Sequence, residues 1–207
     1  MDAPRTGLDA AGLSARETYR LLTSCLVPRP IAWVSTCDAR GTGNLAPFSF
    51  YTMVSTVPPL IALSISLHQG QEKDTLANIR QTGEFVVNVV TRELLAPMHA
   101  CGERHAPGVD EAQLLGVRMR PSQRVRPAGV ALSPVRLECR LSQVLEFGVH
   151  AARLVVGEVL HFSIDSEYMR DGRLDGARLD PVCRLGGPWY GVLGERLAAP
   201  DPSTPST

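Results

Sequence analysis

The sequence predicts a mainly β protein, an antiparallel β-barrel with peripheral helices. Several stretches rich in β-branched and aromatic residues are separated by turns, and few segments have helical character. Residues 135–141 also alternate cleanly between apolar and polar side chains, which is typical of a half-buried strand in an antiparallel sheet. A doubly wound parallel sheet is disfavoured because it needs many more helices between its strands.

Composition and charge narrow the class of protein further. The chain has 207 residues, of which 44% are hydrophobic and 20% charged, so wholesale disorder is excluded. Lysine plus arginine and aspartate plus glutamate balance at 21 each, so no global attraction to nucleic acid or to anionic lipid is expected. No stretch approaches the ~20 apolar residues of a membrane span, and residues 1–15 hold no signal-peptide core. A cytoplasmic protein is therefore expected.

The ends of the chain are small, polar and rich in proline. They predict disordered tails over 1–13 and 198–207, around a single domain over 14–197. The five cysteines are widely spaced and contain no Cys-x-x-Cys, which argues against a disulfide framework and against a four-cysteine zinc site. Reduced, mostly structural thiols are expected.

The first part of the chain predicts a short helix followed by extended stretches. Ser14 and Glu17 form a capping-box pattern that opens a helix through about Leu22. The two prolines of 28–30 end it, because each proline disfavours the α region at the preceding residue. Three extended stretches are then predicted over 31–37, 44–56 and 60–67.

The second part predicts a short helix after Lys73-Asp-Thr75, which ends at Gly83. Later elements are a buried strand over 85–90, a helix over 91–100 that Pro97 breaks or kinks, and strands over 135–141 and 154–164. In the alternating strand, Arg136, Glu138 and Arg140 are predicted to face away from the core. The segment 102–127 is the least readable part of the chain.

Lys73 is the only lysine; the other 20 of the 21 basic residues are arginine. Codon bias accounts for most of the arginine excess, but it leaves open why this position kept an ammonium group. A helix N-terminus offers free N–H groups that favour a phosphate, to which Lys73 adds a charge and Thr75 a hydroxyl donor. Asp74 could instead cap the helix and repel an anion. On these residues alone, a phosphate site and a capped surface helix are equally open.

Two patterns that suggest other cofactor sites do not fit their context. Gly41, Gly43 and Ala46 match the dinucleotide fingerprint, but the residues that follow do not open a helix, so the glycines are interpreted as hairpin turn residues. His99, Cys101 and His105 form a loose cluster without an obvious fourth ligand. A polar loop is therefore a simpler interpretation of this cluster than a metal site. Common hydrolase and NTPase motifs are missing from the sequence.

The segment Asn44–Phe50 resists a plain structural explanation. Pro47 has no N–H group, so the strand is expected to be irregular or at an edge there. Exposed backbone groups beside Asn44 and Ser49 could hold a flat heteroaromatic ring.

The order and spacing of several short motifs resemble the flavin reductase-like family, from about residue 20 to 190. The motifs that carry this resemblance are Pro28-Arg-Pro-Ile-Ala-Trp-Val-Ser-Thr36, Asn44-Leu-Ala-Pro-Phe-Ser49, Pro58-Pro59, Lys73-Asp-Thr75 with Asn78-Ile79, Gly83-Glu-Phe85 with Asn88, Leu137-Glu-Cys139, Gly157-Glu-Val159, and Arg184-Leu-Gly-Gly187 with Tyr190. Each motif is modest alone, whereas their joint order is specific.

The resemblance implies an FMN-binding split barrel of the antiparallel Greek-key type, normally a homodimer with flavin near the subunit interface. Lys73 and Thr75 would hold the phosphate, with Arg29 as a helper, while Asp74 would turn away from the anion. Carried over by position, the residues that would line the isoalloxazine and ribityl chain are Ser35, Thr36, Asn44, Ala46, Pro47 and Ser49.

The same resemblance implies a flavin reductase that passes hydride from NADH or NADPH to FMN. FMN carries the reactive atom, so no protein acid or base is obligatory and no catalytic side chain is predicted. Electrons would continue to free flavin, to a monooxygenase partner or to another acceptor. Two alternatives remain: an electron-transfer FMN protein without its own reductase activity, and a non-redox split-barrel ligand-binding protein.

The chain departs from the family in one place. Relatives often carry a His-x-His or His-Ile-Asp-Asp segment at the end of the long strand, where this sequence has His161-Phe-Ser-Ile-Asp165. His161 is therefore a candidate on the nicotinamide side, but a hydrogen-bonded strand histidine is the favoured interpretation.

Overall fold

Antiparallel strands are the main regular secondary structure of the protein. The structure is a computed structural model that describes residues 3–67, 70–148 and 152–199. The predicted C-terminal tail falls outside these residues from position 200 onward. Across the described ranges, no helix is long and apolar enough to cross a membrane. The α-helices are α1 (Ala15–Cys25), α2 (Asp74–Thr82), α3 (Leu95–Ala100), α4 (Glu111–Leu114) and α5 (Gly176–Leu179). Single 3₁₀ turns lie at Ala10–Gly12, Arg92–Leu94 and Ser166–Tyr168.

The strands fall into one large sheet and three small ones. The large sheet contains β2 (Ala32–Cys37), β3 (Gly43–Phe48), β4 (Tyr51–Thr56), β5 (Pro59–Ser66), β6 (Glu84–Asn88), β9 (Val135–Phe147) and β10 (Ala152–Ile164). The small sheets contain β1 (Arg29–Pro30), β7 (Met119–Arg120), β8 (Gly129–Val130), β11 (Met169–Arg170), β12 (Arg173–Leu174), β13 (Cys183–Arg184) and β14 (Tyr190–Gly191).

The large sheet closes on itself as a barrel. Its seven strands lie in the order β3-β2-β6-β9-β10-β5-β4, and every neighbouring pair is antiparallel. Strands β3 and β4 stand at opposite ends of this order, yet only Ser49 and Phe50 separate them in the chain. Since the three Cα–Cα steps from Phe48 to Tyr51 span roughly 11 Å at most, the sheet must curl until its two ends come together. The predicted mainly β, barrel-type fold is confirmed.

Two hydrophobic clusters hold the barrel and its cover together. Val34, Leu63 and Phe85 belong to the cluster inside the barrel, which helix α2 joins through Leu76 and Ile79. The second cluster lies on the other face of β2 and β3, and its buried members are Ile31, Trp33, Leu45, Val90, Leu94, Met98, Cys101, Ala112, Val130 and Val182. Because successive strand residues point to opposite faces and all six residues of β2 are buried, this strand is covered on both sides.

The start of β9 differs from its prediction, because Arg136 and Glu138 are both buried. The Glu138 carboxylate accepts hydrogen bonds from the backbone N–H groups of Gln123 and Arg124, at 3.0 Å and 2.6 Å. Arg136 donates to the Ser163 hydroxyl at 2.7 Å. The segment before β8 therefore covers this face, and the interpretation of a half-buried strand is wrong for its first half. A polar pattern cannot distinguish a solvated face from one covered by a hydrogen-bonded loop.

The local elements largely follow the predicted pattern. The capping box is present: the Ser14 N–H donates to the Glu17 carboxylate at 2.9 Å, and the Glu17 N–H donates to the Ser14 hydroxyl at 3.3 Å. The stretch predicted over 44–56 is two strands rather than one, since the chain turns at 49–50. Pro97 does not break its helix, because it is the third residue of α3, where no N–H partner is needed.

Candidate functional site

Helix α2 presents an uncapped N-terminus at the edge of the β2–β3 hairpin. Lys73 occupies the N-cap position in an extended conformation, and no side chain caps the helix there. Leu76 and Ile79 are completely buried, which fixes the helix against the barrel. The helix ends at Gly83, whose φ of 73° lies in the left-handed region that glycine adopts without strain.

Asp74 does not cap its own helix. Its carboxylate accepts a hydrogen bond from the backbone N–H of Gly108, at 2.8 Å, and so ties the segment after α3 to the start of α2. Within the described residues, the backbone N–H groups of Asp74 and Thr75 have no hydrogen-bond partner. Two donors and the positive end of the helix dipole are thus left for an anion.

Four buried polar side chains connect α2 to the hairpin. Asn44 donates from Nδ2 to the Thr36 hydroxyl oxygen at 3.1 Å and to the Thr75 hydroxyl oxygen at 2.9 Å. Asn78 donates from Nδ2 to the same Thr36 oxygen at 3.1 Å. All four residues are at least nine-tenths buried. The arrangement fixes the first turn of α2 against β2 and β3 by hydrogen bonds as well as by apolar packing.

A cavity of about 640 Å³ opens beside this helix start. One wall consists of strand β3 and the beginning of α2 and includes Asn44, Ala46, Pro47, Lys73 and Thr75. The Lys73 ammonium lies 5.5 Å from the centre of the Phe48 ring. Partial burial at this wall lowers the pKa of Lys73. The volume lies within the range of about 300–1,000 Å³ that is usual for small-molecule sites.

The opposite wall of the cavity consists of residues 101–107 together with Glu111. Gly102 lies against Pro47: a Cβ atom at Gly102 would be 3.3 Å from the Pro47 side chain. Glu111 is buried, and its carboxylate accepts a hydrogen bond from the Leu45 N–H at 2.8 Å. Burial raises the pKa of this carboxyl above its ordinary value of 4.5. Strand β3 is thereby held between α2 and the start of α4.

Comparison with known families decides the classification. The family described as flavin reductase like domain matches residues 23–176 of the chain. The chain belongs to this family.

Relatives from two bacteria are similar to this chain over almost their whole length. An uncharacterised protein of Halalkalibacterium halodurans is 36% identical over 201 residues, which is 95% of this chain and 96% of the relative. A Bacillus subtilis member is 36% identical over 199 residues, 92% and 96% of the two chains.

Solved structures with the same fold include a monooxygenase component, a nitroreductase and a flavoredoxin. Nitrilotriacetate monooxygenase component B of Bacillus cereus superposes with a TM-score of 0.92 at 29% identity, over 96% of this chain and 100% of that one. The 2-nitrobenzoate 2-nitroreductase of Pseudomonas fluorescens gives 0.85 at 30% identity, over 97% and 99%. Flavoredoxin of Desulfovibrio vulgaris (Miyazaki F) gives 0.73 at 25% identity, over 86% and 93%.

The structure brings together only part of the residue set that the family resemblance implied. Asn44, Ala46, Pro47, Lys73 and Thr75 line the cavity, and Thr36 is hydrogen-bonded to Asn44. Ser35 points to the other face of β2, where its hydroxyl donates to the Ala128 carbonyl at 2.6 Å. Ser35 and Thr36 line a second cavity of about 460 Å³, and Asn44 lines both. The two cavities therefore adjoin at Asn44.

Arg29 and Ser49 lie outside both cavities. The buried guanidinium of Arg29 donates to the carbonyl oxygens of Thr23 and Leu26 at 2.6 Å and 2.7 Å, and so satisfies the C-terminal end of α1. It also reaches the Leu185 carbonyl at 3.1 Å. Ser49 belongs to the two-residue connection between β3 and β4. A role for either residue at a ligand stays a prediction.

The histidines that the sequence singled out have separate positions. His99 contacts the Tyr190 hydroxyl at 2.9 Å, Cys101 is buried in the second hydrophobic cluster, and His105 lines the first cavity. In the described part of the chain, no group of three or more potential metal ligands is found. His161 is partly buried on β10, opposite Glu138 of β9, and borders neither cavity.

Residues 101–107, Glu111 and Asn78 were not predicted to belong to this site, although Cys101 and His105 are part of the loose cluster in the sequence and Asn78 belongs to a family motif. The segment 102–127 has no long hydrophobic period, because its regular elements are the four-residue helix α4 and the two-residue strand β7. A weak signal existed in Asp110, whose side chain accepts from the Gln113 N–H as an N-cap residue should. Nothing in that signal indicates that the segment faces α2.

Stability should depend on pH through Glu111. Its raised pKa means that the folded protein holds the proton more tightly than the unfolded chain, so the free energy of unfolding falls as pH rises from the unfolded value toward the folded one. The variant Glu111→Gln keeps an acceptor for Leu45 but cannot ionise. We expect its thermal midpoint to exceed that of the wild type by a few degrees at pH 7 and to match it near pH 4.

The matched control is Glu93→Gln, which removes the same charge from an exposed position. Its thermal midpoint should follow the wild type at both pH values. A Glu111→Gln variant that is less stable than the wild type throughout, or whose offset does not change with pH, would contradict the role given to this carboxyl.

Proposed function

We propose that the protein is an FMN-binding oxidoreductase of the flavin reductase type, with NADH or NADPH as its electron donor. One observation carries the proposal: free N–H groups at the start of α2, the Thr75 hydroxyl and the single lysine converge on one cavity. Helix N-termini are favourable sites for phosphate groups. The family supports a flavin as the ligand that bears this phosphate.

The chain's own residues fit such a ligand. The donors left unpartnered at Asp74 and Thr75 and the ammonium of Lys73 suit a dianionic phosphate. Asn44, Ala46 and Pro47 continue along β3 as a wall for the ribityl chain and ring. The proposal includes four further ligand residues, Ser35, Thr36, Ser49 and Arg29. Of these, Ser35 and Thr36 line the second cavity, and Ser49 and Arg29 lie outside both cavities. Bound FMN would supply the two-electron chemistry, and the protein would bind, orient and shield it.

Shielding from water is the task that the opposite wall performs. The hydrogen bond from the Gly108 N–H to Asp74 holds this segment at the start of α2, and Gly102 lies beside Pro47 of β3, where a Cβ atom would be tightly packed. Glu111 holds the backbone of β3 at Leu45. No acid or base of the chain is given a catalytic role.

The acceptor of the electrons is a second part of the proposal. A monooxygenase component at 29% identity supports a role as a supplier of reduced flavin to an oxygenase partner. The flavoredoxin at 25% identity favours the alternative, an electron carrier that keeps its FMN and does not react with nicotinamide cofactors. A non-redox binding protein is the remaining alternative.

A homodimer is proposed from the exposed apolar side chains near the end of the sheet. Met53 and Val54 of β4 are 70% and 53% exposed, and Val57 in the following turn is 90% exposed. Clustered exposed apolar residues mark association surfaces, and a two-fold dimer is the commonest assembly. Light scattering on the purified protein should give twice the mass of the chain; a monomer at micromolar concentration would contradict this.

We also propose that the protein acts in the cytoplasm. All five cysteines are free thiols; Cys37, Cys101 and Cys139 are buried, the last two within the hydrophobic clusters. Burial raises the pKa of Cys101 to about 12, so this thiol is not reactive at neutral pH. Unpaired thiols of this kind persist in a reducing compartment.

The activity is tested by mixing the FMN-loaded protein with NADH or NADPH without oxygen. We expect the flavin absorption band to bleach within seconds with at least one of the two donors, much faster than for free FMN at the same concentration. A yellow protein that stays oxidised with both donors but accepts electrons from dithionite would support the electron carrier. A protein that takes up no FMN would contradict the flavoprotein assignment.

The phosphate assignment is tested with Lys73→Ala. Loss of one charge-assisted contact should cost about 2 kcal/mol, so the affinity for FMN should fall roughly 30-fold. Riboflavin has no phosphate and should bind the variant almost as well as the wild type. Quenching of flavin fluorescence measures both affinities.

The control is Arg92→Ala, which removes one exposed positive charge whose partner is Asp180. It should leave both affinities within about twofold of the wild type, as surface charges contribute little. Equal losses of FMN and riboflavin binding in Lys73→Ala would contradict the assignment of Lys73 to the phosphate.

A further inference from the structure

The hydrogen bonds around Thr75 determine which group it can offer to a ligand. Its hydroxyl oxygen accepts the N–H of Asn44 at 2.9 Å, and no acceptor for its own proton is found among the described residues. A hydroxyl has one proton to donate. Thr75 therefore faces the cavity as a hydrogen-bond donor, which suits an anionic oxygen.

The donor role of the Thr75 hydroxyl depends on the orientation of the side-chain amide of Asn44. Asn44 uses Nδ2 for Thr36 and Thr75 together, so its two N–H bonds are both engaged within the protein. If the amide were flipped, its oxygen would face the two threonines and would accept the hydrogen bond that the Thr75 hydroxyl can donate. The donor at the cavity would then be lost.

Asn78 lies one turn further along α2 and borders neither cavity, yet it contacts the same network. Its Nδ2 donates to the Thr36 oxygen that Asn44 also uses, at 3.1 Å. Thr36 accepts two amide N–H groups, which fills both of its lone pairs. Asn78 and Asn44 thus form two crossed links between α2 and the β2–β3 hairpin, and Thr36 is the point where they meet.

We propose that Asn78 is a positioning residue for the phosphate end of the cavity. Acting through Thr36 and Asn44, it holds the Thr75 hydroxyl with its proton toward a bound phosphomonoester and so sets the preference for phosphorylated over dephosphorylated flavin. This inference rests on the proposed function. Its physical basis is that a donor displaced by about 1 Å loses most of a directional hydrogen bond.

The test compares the affinities of FMN and riboflavin in Asn78→Ala. We expect the FMN affinity to fall about tenfold, in line with one misplaced hydrogen bond of about 1.4 kcal/mol, and the riboflavin affinity to fall less than about twofold. The ratio of the two affinities is the decisive quantity, because a general loss of stability lowers both together. Urea unfolding of each variant measures that general loss separately.

A second route keeps the test decisive if Asn78→Ala does not fold. Thr36→Val removes the shared acceptor with little change of shape and should lower the ratio as Asn78→Ala does, whereas Thr36→Ser keeps the hydroxyl and should preserve it. The double variant Asn78→Ala/Thr36→Val should be no worse than Thr36→Val alone, because the two residues act through one hydrogen bond.

Asn88 supplies the matched control. It is a completely buried asparagine on the other face of the sheet, where it donates to the Trp33 carbonyl at 2.8 Å and to the Ser35 hydroxyl at 3.3 Å and accepts from the Val130 N–H at 2.7 Å. Asn88→Ala should lower stability. Because Ser35 is proposed to face the ring and ribityl chain, which FMN and riboflavin share, any change of affinity should affect both ligands and leave the FMN-to-riboflavin ratio unchanged.

The outcomes separate the inference from the function on which it rests. A wild-type protein that binds neither flavin overturns both. A wild type that prefers FMN, with an unchanged ratio in Asn78→Ala and in Thr36→Val, overturns the positioning role alone. A ratio that falls equally in Asn88→Ala also overturns it, since the effect would then be a general consequence of a damaged core.

Discussion

The packing of helix α2 on the barrel is the constraint on which the site depends. Leu76 and Ile79 are fully buried in the barrel cluster, and their position determines where the helix begins relative to β3. Because the N-cap side chain makes no capping bond and Asp74 is engaged by Gly108, the N–H groups of Asp74 and Thr75 have no partner within the described part of the chain. Apolar burial thus fixes the helix, and the polar groups at its start are those that the proposal assigns to a ligand.

Charge at the cavity is local and is not visible in the overall balance. The chain has no formal net charge, yet the single lysine stands at the positive end of α2. The opposite wall buries Glu111, whose ionised form would oppose an anion in the same cavity. Burial raises the pKa of that carboxyl and its hydrogen bond to Leu45 holds β3, so the acid serves the scaffold at an electrostatic cost. Site and scaffold therefore share side chains, and Asn44 belongs to both.

The sequence predicted the barrel, the capping box of α1 and the end of α2 at Gly83, because strand pattern, capping and turn residues are local signals. Five residues that the family motifs pointed to line the cavity: Asn44, Ala46, Pro47, Lys73 and Thr75. Sequence reasoning failed where a role depends on distant partners. Arg29 donates hydrogen bonds to carbonyl groups at the end of α1, and Glu138 is covered by a loop. Neither interaction produces a periodic pattern in the sequence. The cavity wall at residues 101–107 could not be predicted for the same reason. Its position depends on residues distant in sequence, Pro47 and Asp74.

A crystal structure of the protein with FMN tests the central claim most directly. The account predicts that the phosphate oxygens lie within hydrogen-bond distance of the Thr75 hydroxyl, the N–H groups at the start of α2 and the Lys73 ammonium. The ring should then follow β3 past Asn44 and Pro47. A flavin whose phosphate lies in the neighbouring cavity beside Ser35, or in bulk solvent with Lys73 unengaged, would contradict the account.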